Sequence, residues 1–155
     1  MDDAGRVLCM DVTGGLIALA VVLAAASVFG LLSRRRAGQF RPGPPAVTGQ
    51  ADPDVLTGAD LGGPLGRRAT LVQFSTAFCA PCRPTRVILA QVADMVDGVT
   101  HVEVDAASRL DLVRRLRINS TPTVLVLGPD GAIAKRAVGL PRKADVIAAL
   151  GSVIE

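Results

Sequence analysis

The sequence predicts an α/β domain, a mixed β-sheet with helices on both faces, preceded by one N-terminal helix of membrane-spanning length. Three observations carry this expectation. A Cys-x-x-Cys pair, Cys79-Ala80-Pro81-Cys82, joins a β-prone apolar run to a run of helical periodicity. From that point the elements read βαβ and then αββα, the order of a mixed sheet. Ahead of them lies an uncharged stretch of about 21 residues from Val12 to Leu32.

At about 1.5 Å rise per residue this stretch is roughly 30 Å long, enough to cross a bilayer core. A helix buried in the domain and a cleaved leader ending near Ala24-Ala25-Ala26 are the alternatives. The region before it is acidic and its apolar residues run on to Leu32, which disfavours a leader. The expected organisation is therefore a short tail (1–11), a transmembrane helix (12–32), a basic and Pro/Gly-rich linker (33–51) and a folded domain (52–155).

Charge orients the span. Residues 1–11 hold one arginine and three aspartates, whereas 33–41 hold Arg34, Arg35, Arg36 and Arg41 with no acid. Positive flanks stay in the cytoplasm, which places the domain on the cytoplasmic side and the basic cluster against inner-leaflet lipids. Cys9, just before the span, reads as an incidental thiol. Pro42, Gly43, Pro44 and Pro45 make the following segment an extended, partly stiff linker.

Within the domain, Val55–Leu56 begins a β-like or irregular stretch, and turns follow through Gly58, Gly62-Gly63-Pro64 and Gly66. Ala69–Ser75 is a strand. A helix runs from the cysteine pair to about Val96, with Val87, Ile88, Leu89, Val92, Met95 and Val96 at helical spacing. Val99–Asp105 is a strand, and Arg109–Arg117 a short helix turning Leu110, Leu112, Val113 and Leu116 inward. Thr123–Leu127 and Ala132–Val138 form a hairpin about Gly128-Pro129-Asp130-Gly131, where Pro and Gly supply the turn dihedrals. Pro141 opens a last helix through Val146, Ile147, Leu150 and Ile154.

Composition narrows the function. The chain has 155 residues, no Trp or Tyr, four Phe and one His, so the core is aliphatic. Residues 42–155 carry twelve basic and eleven acidic side chains. So balanced a domain, with no aromatic-and-basic stripe, argues against nucleic-acid binding. Two cysteines three apart at a helix start share one turn and can close a small disulfide ring. The helix dipole and free first-turn amides would favour a thiolate at the first. Half a zinc site has the same spacing, but Cys79, Cys82 and His101 give at most three ligands where a structural site wants four.

These motifs resemble the thioredoxin family over residues 54–155. The resemblance rests on Phe78-Cys79-Ala80-Pro81-Cys82-Arg83 and on Ser120-Thr121-Pro122-Thr123 about 40 residues later. The Val102-Glu103-Val104-Asp105 strand, the Gly-Pro-Asp-Gly hairpin and Gly139 also fall where the family has them. It implies a thioredoxin-like fold and a thiol–disulfide oxidoreductase with no cofactor and no metal. Cys79 would attack and Cys82 resolve, while Pro122 would be cis beside them. Phe78, Thr121 and Pro122 would meet substrate. Implied partners are disulfide-containing or oxidised-thiol proteins and an unidentified electron donor, with the lipid bilayer held through residues 12–32. Two departures stand out. Phe78 replaces the usual Trp, and Gln73 and His101 occupy the places of an Asp–Lys pair tied to proton handling at the second cysteine.

Three readings remain at this point. One is an anchored reductase with a cytoplasmic domain. Another is the same enzyme facing outward in envelope thiol maturation. The third is a non-enzymatic metal-binding or scaffold domain.

Overall fold

The computed structural model describes residues 3–36, 38–42 and 55–154, which separate into two units, Met1–Arg36 and Ala37–Glu155. The first is one helix, α1 (Asp3–Arg36), so residues 3–11 continue the helix rather than forming a separate tail. Every described side chain from Gly15 to Leu32 is exposed, and mean hydropathy over that window is 2.6. The window is apolar and long enough to cross a bilayer. Its one hydroxyl, on Ser27, donates back to the Leu23 carbonyl at 2.8 Å.

The second unit is the expected mixed sheet flanked by helices. Its elements are β1 (Arg41–Pro42), α2 (Gly58–Leu61), β2 (Ala69–Ser75), α3 (Cys82–Met95), β3 (Val99–Asp105), α4 (Leu110–Arg115), β4 (Thr123–Leu127), β5 (Ile133–Val138) and α5 (Lys143–Ile154). The sheet order is β1-β5-β4-β2-β3. Only β2 and β3 are parallel, and α3 provides the crossover that parallel neighbours need. β2 is buried along its whole length, which its Val-, Leu- and Phe-rich sequence requires of a central strand.

Alternation along β2 and β3 divides the core into two layers. Val72 and Phe74 of β2 pack with Val102 and Val104 of β3, Leu112 of α4 and Leu61 of α2. On the opposite face Ala69 and Leu71 pack with Leu89 and Val92 of α3 and Val146 and Leu150 of α5. Phe74 has no exposed surface, worth about 3 kcal/mol for a side chain of its size.

Two elements differ from the sequence expectation. The turn-rich stretch after Leu56 contains α2, a single helical turn closed by a capping box: Thr57 Oγ1 accepts from Asp60 N, and the Asp60 carboxylate accepts from Thr57 N at 2.8 Å. Arg115 of α4 pairs with Asp60 at 3.1 Å and ties the two helices together. Helix α5 begins at Lys143, two residues after Pro141, with the Arg142 carbonyl accepting its first bonds.

The segment after α1 also acquires structure. Residues 38–42, within the expected linker, lie along the outer edge of β5. Arg41 and Pro42 pair with Arg136 and Lys135, and Gly38 N donates to the Val138 carbonyl. Pro42 lacks an N–H, which a two-residue edge strand tolerates. Phe40 packs on the core layer under α3 and α5. The expected boundary at 51/52 and the linker from residue 43 onward lie outside the described residues.

Candidate active site

Strand β2 ends at Ser75, and Thr76 to Pro81 carry the chain over the sheet edge into α3. Two backbone bonds shape this loop: Cys79 N donates to the Thr76 carbonyl at 3.2 Å and Cys82 N to the Cys79 carbonyl at 3.1 Å. Pro81 sits at the N-cap with φ −73°, the value its ring imposes, and Pro84 falls in the first turn where no intrahelical N–H is needed. Thr85 Oγ1 donates to the Pro81 carbonyl at 2.9 Å. Cys79 and Cys82 are bonded to each other, with their Cα atoms 5.3 Å apart.

Exposure separates the two cysteines. Cys79 is half-buried, whereas Cys82 is 3% exposed. Phe78, immediately before Cys79, stands wholly in solvent. The first-turn amides are fewer than the sequence reading assumed. Between residues 81 and 84 only Cys82 and Arg83 carry an N–H, and that of Cys82 is spent on Cys79. The helix dipole and the exposed Arg83 remain to favour an anion here.

The second wall comes from the α4–β4 connection. Helix α4 ends with Arg117 in the left-handed region, φ 52°; Ile118 N donates to the Val113 carbonyl and Arg117 N to Arg114. This terminal turn sends residues 118–122 back across the sheet end. The Thr121–Pro122 peptide is cis, matching the expectation for Pro122. The Thr121 hydroxyl lies 3.2 Å from that of Thr76, in a hydrogen bond joining this loop to the one that carries Cys79. Pro122 is buried, and its carbonyl accepts from Gly139 N at 2.8 Å. Gly139, at φ 87°, makes the bend that reaches it. The Pro122 carbonyl is thus engaged within the fold.

Beneath α3 lies a polar group of side chains on the face of the sheet that carries Leu71. Gln73 is wholly buried and its Nε2 donates to the Cys82 carbonyl at 3.0 Å. Ser75 Oγ donates to Glu103 Oε1 at 2.6 Å, and Arg86 of α3 grips the same carboxylate with two bonds of 2.5 and 2.6 Å. The Arg86 guanidinium, aided by Ser75, holds the Glu103 carboxyl below its ordinary range against a smaller opposing effect of burial. His101 is two residues before Glu103, and burial holds its imidazole below the ordinary value. Gln73 and His101 stand out in the sequence, whereas Ser75, Arg86 and the pairing role of Glu103 do not. Among the described residues no three of His, Cys, Asp and Glu gather closely enough to hold a metal ion.

The model of the family described as Thioredoxin matches residues 65–152, more than half of the chain. The chain belongs to the thioredoxin family. Among its relatives, the thioredoxin of Mycoplasma genitalium is 30% identical over 81 residues, covering 52% of this chain and 78% of that one. The thioredoxin of Mycobacterium bovis is 30% identical over 88 residues, 56% of this chain and 75% of the relative. Among solved structures, chloroplastic thioredoxin z superposes with a TM-score of 0.51 at 28% identity, covering 56% of this chain and 79% of that one. Thiol–disulfide oxidoreductase chemistry comes with this thioredoxin fold and its cysteine pair, and disulfides are the kind of group on which it acts.

Proposed function

We propose that this chain is a membrane-anchored thiol–disulfide oxidoreductase in which Cys79 attacks the substrate and Cys82 resolves the intermediate. The observation that carries the division of labour is the exposure of the two cysteines, Cys79 half-buried and Cys82 only 3% exposed. A nucleophile must reach a foreign disulfide, whereas a resolving thiol need only reach its neighbour one turn away.

In the reducing direction the Cys79 thiolate attacks one substrate sulfur. The substrate S–S bond breaks, one substrate thiol leaves, and a mixed disulfide forms. Cys82 thiolate then attacks Cys79 Sγ, the mixed bond breaks, and the second substrate thiol leaves. Two electrons and two protons pass to substrate, and the chain is left with the Cys79–Cys82 disulfide. A dithiol donor must reduce it again. Phe78 and Thr121, flanking the cysteines on separate loops, would contact the docked substrate chain, with Pro122 walling the site.

Residues 12–32 would be the anchor, with Arg34, Arg35 and Arg36 holding the domain on the cytoplasmic side. Exposed apolar side chains throughout Gly15–Leu32 favour lipid over a place in a protein core. Topology and chemistry can be tested together by labelling Cys79 and Cys82 in intact cells with a membrane-impermeant maleimide, in a Cys9→Ser background. The cysteines should stay unlabelled until lysis and then react as free thiols in the membrane fraction. Labelling in intact cells would turn the domain outward toward envelope substrates, and recovery of the uncleaved chain in the soluble fraction would remove the anchor.

A further inference from the structure

The two edges of the sheet are finished differently. On the β5 side the last strand is β1, two residues long and ending in Pro42. On the other side the sheet ends at β3, and among the described residues nothing pairs with its outer edge. Outermost strands are commonly blunted by proline, lysine or a bulge. Val99–Asp105 runs seven residues without Pro, Gly or Lys, and its register with β2 is unbroken throughout. Val99 to Glu103 are half-buried, whereas every residue of β2 is buried.

One bond sets the phase of the free backbone groups. Ala106 N, just past β3, donates to the Ser75 carbonyl at 2.8 Å, so residue 106 points its backbone toward β2. These groups alternate from side to side along a strand, so Thr100, Val102 and Val104 point to β2 as well. Val99, His101, Glu103 and Asp105 therefore turn N–H and C=O outward. Their order is self-complementary. Turned antiparallel about Val102, a second β3 sets His101 opposite Glu103 and Glu103 opposite His101, with Val99 opposite Asp105 at each end. Because these are the outward-facing residues, the two strands exchange about eight backbone bonds. Centring the pair on Glu103 would set two carboxylates face to face, and centring it on His101 would lose both His–Glu pairs.

We propose that β3 is a self-pairing edge, through which two copies of this chain join their sheets antiparallel across a two-fold axis at Val102. The inference is independent of the roles of the cysteines. The chemistry of the seam suits a second copy. Arg86 of each chain is already paired with its own Glu103, so the axis brings no unbalanced charge to the seam. An imidazole donates to a carboxylate whether neutral or protonated. Glu103 has room for one more donor beyond its two bonds from Arg86 and one from Ser75. Asp105 is exposed at the strand end and keeps its water there. On the opposite face Val102 meets Val102 and Thr100 meets Val104, which extends the apolar layer that holds Val102 and Val104. The pairing is also closed. A two-fold contact uses β3 in both copies, and β1 occupies the β5 edge that a head-to-tail stack would need.

The test is oxidative cross-linking of the full chain in lipid vesicles, with Cys9, Cys79 and Cys82 all replaced by Ser and single cysteines placed in β3. At Val102 the two strands meet as a non-hydrogen-bonded pair, about 4.5 Å apart at Cα and within disulfide reach. Val102→Cys should therefore link to its own copy. Thr100→Cys lies about 13 Å from its own copy in this register, and so does Val104→Cys; each alone should link about tenfold less. Mixed together, the Thr100→Cys and Val104→Cys chains should link to each other as Val102→Cys links to itself. This pair carries the test should Val102→Cys fold poorly. Equal linking by each of the three cysteines alone, the mark of random collision or of association through α1, overturns the proposal. Absence of linking both at residue 102 and in the mixed pair overturns it too, and leaves the edge to residues 43–54 or to a different partner.

Discussion

Gln73 and Cys82 are joined by a hydrogen bond from the Gln73 side-chain amide to the Cys82 carbonyl, 3.0 Å long and inside the protein. The bond fixes the first residue of α3 onto the central strand of the sheet. The helix start, and Cys82 with it, is thereby referenced to an interior strand buried along its whole length.

The cost of losing that contact depends on what replaces it. Gln73→Ala leaves a cavity under α3 and should destabilise the domain by about 2–3 kcal/mol. Gln73→Leu fills the space and removes the partnerless Oε1, and should cost no more than about 1 kcal/mol. Urea denaturation of both variants checks the order. Equal losses would mean that the hydrogen bond, rather than packing, dominates at this position.

Glu103 makes the fold acid-sensitive in a definite direction. Its carboxyl is held below the ordinary value of 4.5 first by Arg86, then by Ser75, with burial opposing. A depressed folded-state value stabilises the native state above the unfolded value, and that contribution fades as pH falls through the folded one. Thermal unfolding of the parent should therefore weaken below about pH 4.5. Arg86→Met should flatten this acid limb while leaving the slope between neutrality and mild alkali unchanged. An acid limb of undiminished steepness in Arg86→Met would assign it to other carboxylates.

Gly38 is the pivot of the edge strand. Its φ of 81° is a left-handed value, and a Cβ there would run into the Leu140 carbonyl. Backbone does not yield as a flexible side chain would. Gly38→Val should release residues 38–42 from β5, read as loss of amide-exchange protection at residue 38 and as new protease cleavage between residues 38 and 41. Protection equal to the parent would show that the pairing of Arg41 and Pro42 holds the segment without Gly38.

Much of this architecture was legible from local pattern. Strands β2, β3 and β4 occupy the residues that apolar alternation and turn chemistry assigned to them, and the cis Thr121–Pro122 bond sits where the family motif put it. Helix α2 was missed although Thr57-Gly58-Ala59-Asp60 has the spacing of a capping box, because glycines and Pro64 around it read as turns. Strand β1 had no local signal. Its pairing is with residues some ninety positions away, and Pro42 with its Gly/Pro neighbours reads as linker. The Ser75–Glu103–Arg86 group was hidden for the same reason: only the parallel register of β2 on β3 brings together side chains 28 and 17 positions apart.

The most direct test of the central claim is to trap the intermediate. Reduced Cys82→Ser and Cys79→Ser chains are each mixed with a protein disulfide and their masses recorded without reductant. Cys82→Ser should accumulate a one-to-one mixed disulfide through Cys79 that persists until a thiol is added. With Cys9 also replaced by Ser in both chains, Cys79→Ser should form none and reduce nothing, because Cys82 is buried. Adducts of equal yield in the two variants, or equal residual reduction, would contradict the division of roles between Cys79 and Cys82.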